Sequence, residues 1–163
     1  WDKLLIKNGD YIGQQRAEFI EFANAGKFQI PISNYQLEYD KSAISEGRLE
    51  QYAEEEVEAA TTLVGPHRDD FVFKLEKREL ARYGSRGEQR MGVLWLKLAE
   101  LSFVKEKSGE DPTLLLDDIF SELDQKHREI VIKVSENQQT IITTADPHFI
   151  ESFKRVEKIK LGR

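Results

Sequence analysis

Residues 113–124 read TLLLDDIFSELD and carry the strongest architectural signal in the chain. Three consecutive leucines run directly into two adjacent carboxylates, Asp117 and Asp118. A continuous apolar strand is typical of a parallel sheet that is buried on both faces. Ligands of open α/β sheets bind beyond the carboxyl ends of the strands. The stretch therefore predicts a buried parallel strand that ends beside a ligand.

The two acids at the end of this strand suit a magnesium-nucleotide site. Such a site needs one carboxylate near the hard cation and a second group that orients an attacking water. Asp117 and Asp118 can supply both. The alternative is a pair of strand-end acids that cap the following turn, and the stretch alone leaves both interpretations open.

Strand and helix signals alternate after residue 63. Apolar runs and amphipathic spacing predict, in order, strand 113–117, helix 125–136, strand 139–144, helix 147–155 and strand 156–161. This alternation indicates an α/β fold with a layered sheet and flanking helices.

The first part of the chain is dominated by helical spacing. Apolar residues over 1–25 predict a long helix that stops at Gly26. Two interpretations are open: a surface helix packed on a neighbour, or one limb of a projecting helical arm. Residues 35–39 alternate as a half-buried strand does, and residues 48–64 return to helical spacing.

A change of organisation is predicted near residue 63. Gly65-Pro66 breaks the preceding helix, and residues 71–75 then alternate as a strand. We therefore expect two regions, a helical-arm segment over residues 1–63 and sheet-and-helix material over residues 64–163.

The segment YGSRGEQR predicts the start of a buried helix. Ser85 and Glu88 form an S-x-x-E capping box, and an apolar stripe follows, made of Met91, Leu94, Trp95, Leu98 and Leu101. Gly84 and Gly87 flank the start, where glycine lets backbone approach a ligand and a helix N-terminus favours phosphate. The alternative is a plain capped helix with a flexible entry.

Two further motifs are ordinary when taken alone. In GPHRDDF, His67 and Arg68 precede two acids without a nucleophile that would complete a triad. A charged turn with an internal ion pair explains that motif. In FSELDQKHRE, Asp124 is suited to cap the helix that follows.

Composition limits the function classes. The 163 residues carry a net charge of −6, which argues against a broad basic surface for nucleic acid but allows a local patch. The chain has no cysteine, which excludes disulfides and thiolate metal sites and fits a cytoplasmic location. No apolar run reaches membrane length. Because the chain opens at Trp1 in what looks like mid-helix, we expect an excised fragment.

The order and spacing of these motifs resemble the ABC-type ATPase heads of SMC and repair proteins. Ser85-Arg86-Gly87-Glu88-Gln89-Arg90 resembles the signature motif, Leu114 to Asp118 resembles Walker B, and Ser121 to Asp124 resembles the D-loop. Asp117 follows Ser85 by 32 positions, and another strand, QTIITT, comes next. With GPHRDDF upstream, the set resembles the RecF family of bacterial recombination-mediator ATPases over most of the chain.

The resemblance implies a role for each matching residue. Asp117 would hold Mg²⁺ as the Walker B acid, and Asp118 would orient or deprotonate the attacking water. Ser85 and Gly87 would contact the γ-phosphate of ATP held by the opposite protomer, within a signature segment that includes Arg86, Glu88 and Gln89. Asp124 would lie at the dimer interface. The fold implied is the C-terminal part of an ABC-type head with part of a helical arm.

The resemblance also implies cofactors and partners. ATP and Mg²⁺ would be bound, and an ATP-dependent homodimer would act on DNA at gaps and single/double-strand junctions. Partners would be mediator proteins of the RecO/RecR type, in DNA repair, replication, recombination and the SOS response, with no membrane.

Two departures from the family pattern are visible. No glycine lies in a GxxxxGK[ST] pattern, so the phosphate-binding loop is absent from these residues, and the fragment alone is expected to be inactive. The usual switch histidine is also missing, because Thr144 or Ala145 stands near its place; Asp146 is a candidate.

Two other classes of function remain as alternatives. The chain could be a non-catalytic arm that docks a recombination partner, with acids that are only structural. It could instead be a self-sufficient magnesium phosphotransfer enzyme built on Asp117 and Asp118, although no positioned lysine accompanies them.

Overall fold

The computed structural model describes residues 1–26, 34–121, 123–151 and 153–161. Glu122 of the SELD motif and residues 27–33 of the predicted arm lie outside the described residues, as does the side chain of Lys126. The chain divides into two compact units, Trp1–Phe103 and Val104–Arg163. The predicted boundary near residue 63 lies inside the first unit and stays a prediction.

The first unit combines helices with an antiparallel sheet. Its helices are α1 (Asp2–Asn24), α2 (Glu46–Gln51), α3 (Ala53–Ala59), α4 (Leu80–Tyr83) and the greater part of α5 (Arg86–Ser108). Its strands are β1 (Tyr35–Asp40), β2 (Asp70–Leu75) and β3 (Arg78–Glu79), in the order β1-β2-β3. The predictions of helix 1–25, strand 35–39 and strand 71–75 are confirmed. The predicted helix 48–64 is two short helices, the second of which ends at the left-handed Ala60.

The core of this unit forms where the sheet meets α5. Tyr35 and Phe73 from neighbouring strands contact Trp95, with ring centroids 6.0 and 5.7 Å away. Gly92 allows this approach, because a Cβ there would lie 2.7 Å from a methyl group of Leu80. The predicted burial of the α5 stripe is confirmed for Met91, Leu94, Trp95 and Leu98, whereas Leu101 is half-buried.

Helix α1 packs through two glycines and two aromatic rings. A Cβ on Gly9 would lie 2.7 Å from Ile44 Cγ2, and one on Gly13 would lie 2.7 Å from Lys41 Cε. Near the end of the helix, Phe19 and Phe22 pack against Phe103, with centroid distances of 5.4 and 5.3 Å. The beginning of the helix presents exposed apolar side chains, namely Trp1, Leu4, Leu5, Tyr11 and Ile12.

The second unit contains a parallel strand pair and a helix. Strand β4 (Leu114–Asp117) pairs in parallel with β5 (Thr140–Thr143), and α6 (Gln125–Ser135) lies between them in sequence. Phe120 and Val131 are the most completely buried side chains of this unit. The predictions of strands 113–117 and 139–144 and of helix 125–136 are confirmed.

Three expectations for the second unit are wrong. Leu115 is 69% exposed and Ile141 is 56% exposed, so the strand pair is not buried on both faces. Side chains alternate across a strand, and within the described residues only one face of this pair is covered. The predicted helix 147–155 is a single 3₁₀ turn, Pro147–Ile150, and the described residues 156–161 form no strand.

No helix of the described residues has both the length and the apolar character that a membrane crossing requires.

Candidate nucleotide site

The two candidate acids lie at the carboxyl end of β4, as the sequence predicts. In the parallel register Asp117 lies beside Thr143, the last residue of β5. Both carboxylates are exposed. Within the described ranges no lysine or arginine forms an ion pair with either of them. The pair therefore offers two negatively charged groups without a neutralising cation from those residues.

Asp118 has an unusual backbone conformation. Its φ of 44° is in the left-handed region, where a residue other than glycine costs about 1 kcal/mol or more. Its N–H donates to the Thr143 carbonyl at 3.1 Å. The carbonyl of Asp118 is held by Ser121, whose hydroxyl donates to it at 2.8 Å. The same hydroxyl oxygen lies 3.1 Å from Asp118 Oδ2. The turn thus directs the two carboxylates differently from a continuing strand.

Asp124 begins the helix that follows the acids. Its Oδ1 accepts a hydrogen bond from the His127 N–H at 3.0 Å, which makes it the N-cap of α6. The His127 Nδ1 lies 2.7 Å from the same oxygen. The predicted capping role is confirmed, and the carboxylate remains 65% exposed.

The segment before α5 forms the predicted capping box. Glu88 N–H donates to Ser85 Oγ at 3.3 Å, and Ser85 N–H donates to Glu88 Oε2 at 2.7 Å. Hydrogen bonds from the Ser85 backbone and hydroxyl lower the pKa of Glu88. The Ser85 hydroxyl therefore accepts from the Glu88 N–H and directs its single proton to the Glu88 carboxylate, so the box is closed on both sides.

The other residues of this segment differ in what they leave accessible. Arg86 and Gly87 are exposed, and a Cβ on Gly87 would meet no atom closer than Ser85 Oγ at 4.0 Å. Gln89 is half-buried, with its amide 3.3 Å from the carbonyls of both Leu80 and Gly84. The start of the helix is therefore accessible to a ligand at Ser85, Arg86 and Gly87. The side chains of Glu88 and Gln89 are instead engaged with the protein backbone.

The structure brings Asp117 and Asp118 together in the second unit, and Ser85 to Gln89 together in the first. Sequence reasoning missed Thr143, which hydrogen-bonds Asp117, and named Ser121 only as part of the D-loop-like segment, without its hydrogen bond to Asp118. A signal for Thr143 was present, because parallel strands end at the same edge and QTIITT follows LLLDD. Of the proposed switch residues, Thr144 and Asp146 hydrogen-bond one another and Ala145 is exposed.

The GPHRDDF motif forms a different kind of centre. Asp69 is only 4% exposed at its side chain, and its ion pair is with Arg16 of α1 at 2.7 Å. The internal ion pair predicted for this turn is therefore wrong. Asp69 also accepts from Tyr39 OH and from the Ser42 N–H at 2.8 Å. Burial alone would raise the pKa of Asp69, but the hydrogen bonds from Tyr39, Arg16 and Ser42 outweigh it and lower that pKa.

Solved structures share this fold. The chain superimposes on a structure of the recombination mediator protein RecF-ATPrS in the RecFOR pathway with a TM-score of 0.73, 33% identity, and coverage of 90% of this chain and 44% of that one. A RecF-ATP structure gives 0.70 and 32% identity, with the same coverage. The chain therefore has the α/β fold of part of a RecF-type ABC ATPase, which confirms the predicted class.

Curated relatives give the particular family. Proteins named DNA replication and repair protein RecF match from Herpetosiphon aurantiacus (36% identity, 96% of this chain, 46% of the relative), Halothermothrix orenii (39%, 90% and 44%) and Desulfitobacterium hafniense (35%, 100% and 50%). No family model matches the chain. The chain spans about half the length of these relatives, and over that span it is a RecF homologue, which confirms the predicted resemblance.

Proposed function

We propose that this chain supplies the metal acid, the water-orienting acid and the signature segment of an ATP site in a RecF-type DNA repair ATPase. The observation that carries the proposal is the exposed pair Asp117 and Asp118 at the carboxyl end of a parallel strand, where no lysine or arginine of the described residues forms an ion pair with either acid. Two structural neighbours are RecF-ATP and RecF-ATPrS, which supports ATP as the nucleotide.

The donor set suits Mg²⁺ bound together with a nucleotide. Among the described residues no group of three His, Cys, Asp or Glu side chains could hold a metal by itself. Mg²⁺ keeps several waters and takes one or two carboxylates plus substrate phosphates. Asp117, with Asp118 beside it, provides that number of hard oxygen ligands. Once bound, the cation would neutralise negative charge on the phosphates.

Asp118 is assigned to the attacking water. Its exposed carboxylate can accept a proton from, or orient, a water that approaches the terminal phosphate. The Ser121 hydroxyl donates to the Asp118 carbonyl and so holds the backbone that carries this carboxylate. In a positioned site such general-base assistance contributes typically about 10²–10⁴-fold to the rate.

Ser85 and Gly87 are assigned to the γ-phosphate of a nucleotide bound by a second copy. The exposed start of α5 presents free N–H groups and a helix dipole that favour anions. The open space at Gly87 leaves room for the phosphate. Asp124, exposed at the start of α6, is assigned to the same dimer interface.

The wider role follows the relatives. DNA replication and repair is what those proteins are named for, and we propose it for the protein that carries this chain. DNA at gaps and strand junctions, RecO/RecR-type partners, an ATP-dependent homodimer and a cytoplasmic, SOS-linked setting are part of the same proposal.

The test compares signature variants of the complete protein. Ser85→Arg fills the anion-binding start of α5 with a bulky side chain, and ATP-dependent dimerisation, measured by light scattering, is expected to be lost. The matched control is Ser108→Arg, at the exposed other end of the same helix, which is expected to dimerise normally. Normal dimerisation of Ser85→Arg would contradict the signature assignment.

A second candidate function is a docking arm, which the exposed apolar residues at the start of α1 favour. Trp1 is fully exposed and Tyr11 is 63% exposed. On this hypothesis the protein binds a RecO/RecR-type partner without nucleotide, and Tyr11→Glu abolishes that binding while ATP turnover is unchanged. Binding measured by calorimetry, with and without ATP, separates the two functions.

A further inference from the structure

Thr143 lies where it can act on both acids of the nucleotide site. It is the last residue of β5, and the parallel register places it beside Asp117. Its hydroxyl donates to Asp117 Oδ1. Its carbonyl accepts from the Asp118 N–H at 3.1 Å, and its Oγ1 lies 3.3 Å from the same nitrogen. One residue on the neighbouring strand therefore contacts the side chain of the first acid and the backbone of the second.

The direction of these hydrogen bonds is settled by donor counting. A threonine hydroxyl has a single proton, and an ionised carboxylate can only accept, so that proton goes to Asp117. The Asp118 N–H can only donate, so Thr143 Oγ1 accepts from it. The result is a chain that runs from the Asp118 backbone N–H through the Thr143 hydroxyl to the Asp117 carboxylate.

These linked hydrogen bonds help to hold the backbone conformation of Asp118. A left-handed aspartate persists only where its surroundings hold it. Thr143 provides two acceptors for the Asp118 N–H, and Ser121 holds the Asp118 carbonyl on the other side. Threonine is suited to this position because its branched Cβ restricts χ1, which fixes the direction of the hydroxyl.

We propose that Thr143 is a positioning residue for the nucleotide site, a role that rests on the function proposed above. It orients the Asp117 carboxylate toward the cation and holds Asp118 in the left-handed conformation that directs the second carboxylate to the attacking water. Its neighbour Thr144 does not share this role, because its hydroxyl is engaged with Asp146.

The experiment uses Thr143→Val, which keeps the shape and removes the hydroxyl, and Thr143→Ser, which keeps the hydroxyl. Mn²⁺ binding to the complete protein saturated with a non-hydrolysable ATP analogue is measured by EPR, after subtraction of Mn²⁺ bound to the analogue alone. Partners that orient metal ligands typically contribute about 10–100-fold to metal affinity. Thr143→Val is expected to weaken Mn²⁺ by about 10-fold, and Thr143→Ser by less than about 3-fold.

Thr140→Val is the matched control on the same strand. The Thr140 hydroxyl contacts the carbonyls of Ser135 and Gln138, away from the acids. Its loss is expected to leave the Mn²⁺ affinity unchanged. If Thr140→Val weakens Mn²⁺ as much as Thr143→Val does, the effect is a general disturbance of β5 and the proposal is overturned. Should valine at position 143 disturb folding, Thr143→Ala repeats the test, with the same loss expected.

Asp117→Asn separates failure of this inference from failure of the proposed site. Loss of Mn²⁺ binding in Asp117→Asn with wild-type binding in Thr143→Val would overturn the role of Thr143 alone. Unchanged Mn²⁺ binding in Asp117→Asn would overturn the nucleotide site itself. Amide hydrogen exchange of the metal-free protein gives an independent readout. The Asp118 amide is expected to exchange faster in the Thr143→Val variant than in the Thr143→Ser variant.

Discussion

The chain contains two Asp-Asp pairs, Asp69-Asp70 at the start of β2 and Asp117-Asp118 at the end of β4. The Asp69 side chain is only 4% exposed, and three groups remote in sequence bind it, namely Arg16, Tyr39 OH and the Ser42 N–H. The β4 pair is exposed, lacks a described cationic partner and has a left-handed second residue. The first acid of one pair is therefore satisfied by groups inside the protein, whereas both acids of the other pair stay accessible from solvent.

The difference teaches how to separate a structural acid from a functional one. A buried carboxylate must be satisfied inside the protein, because leaving it unpaired costs several kcal/mol. An acid that is to bind a cation or a water must keep oxygens accessible, and the role proposed for Asp117 and Asp118 agrees with their exposure.

The largest effect is expected from Asp118→Asn in the complete protein. Loss of the water-orienting carboxylate should lower DNA-stimulated ATP turnover by about 10²–10⁴-fold, measured by phosphate release. Asparagine tolerates the left-handed region, so the free energy of unfolding should change little. Asp70→Asn, the exposed acid of the other pair, is the control and should retain turnover. Equal turnover in Asp118→Asn and Asp70→Asn would contradict the different roles assigned to the two Asp-Asp pairs.

Asp69→Ala is expected to lower the stability of the fold, in contrast to Asp118→Asn, which is expected to lower turnover. It removes the shared acceptor of Arg16, Tyr39 and the Ser42 N–H. The free energy of unfolding should fall by about 2–4 kcal/mol, discounted for the half-exposed Arg16. Urea unfolding followed by circular dichroism measures it. Asp118→Ala is the comparison, and a loss of stability there equal to that of Asp69→Ala would contradict the assignment of separate roles.

Tyr39→Phe sharpens the account of the buried acid. The phenol contributes one hydrogen bond to Asp69, and its removal should cost about 1 kcal/mol of unfolding free energy. Burial, and then the hydrogen bond and charge of Asp69, raise the pKa of Tyr39 to about 12. Ultraviolet titration at 295 nm should show one tyrosine fewer titrating in that range in the variant. An unchanged high-pH titration would show that Tyr39 is not bonded to Asp69.

The smallest effect concerns acid pH. Because the folded-state pKa of Asp69 is lowered, its stabilisation is fully present above the unfolded value near pH 4. It is lost as the pH falls through the folded value. Urea midpoints between pH 7 and pH 2 should therefore fall more steeply in wild type than in Asp69→Asn. Parallel curves for the two proteins would show that Asp69 titrates alike in the folded and unfolded states.

Local patterns predicted most elements of the fold, because capping and apolar periodicity act within a few residues. The Ser85–Glu88 box and the parallel strand ending in Asp117 were predictable in this way. The partnership of Arg16 with Asp69 was not, because 53 positions separate them and only the packed sheet brings them together. The exposure of Leu115 was also unpredictable. An apolar run indicates that a strand can be buried, but it does not show which elements cover each of its faces.

The two glycines of α1 have a consequence for the order of folding. Each lowers helix propensity by about 1 kcal/mol relative to alanine, yet alanine at position 9 would collide with Ile44 Cγ2, and alanine at position 13 would displace the end of the Lys41 side chain. The helix is therefore a poor autonomous nucleus. Its partners lie about 30 residues away in sequence or more, so docking must wait for the turn after β1 to form. Amides between Gly9 and Gly13 should then open to exchange in the same cooperative step as the β1–β2 ladder.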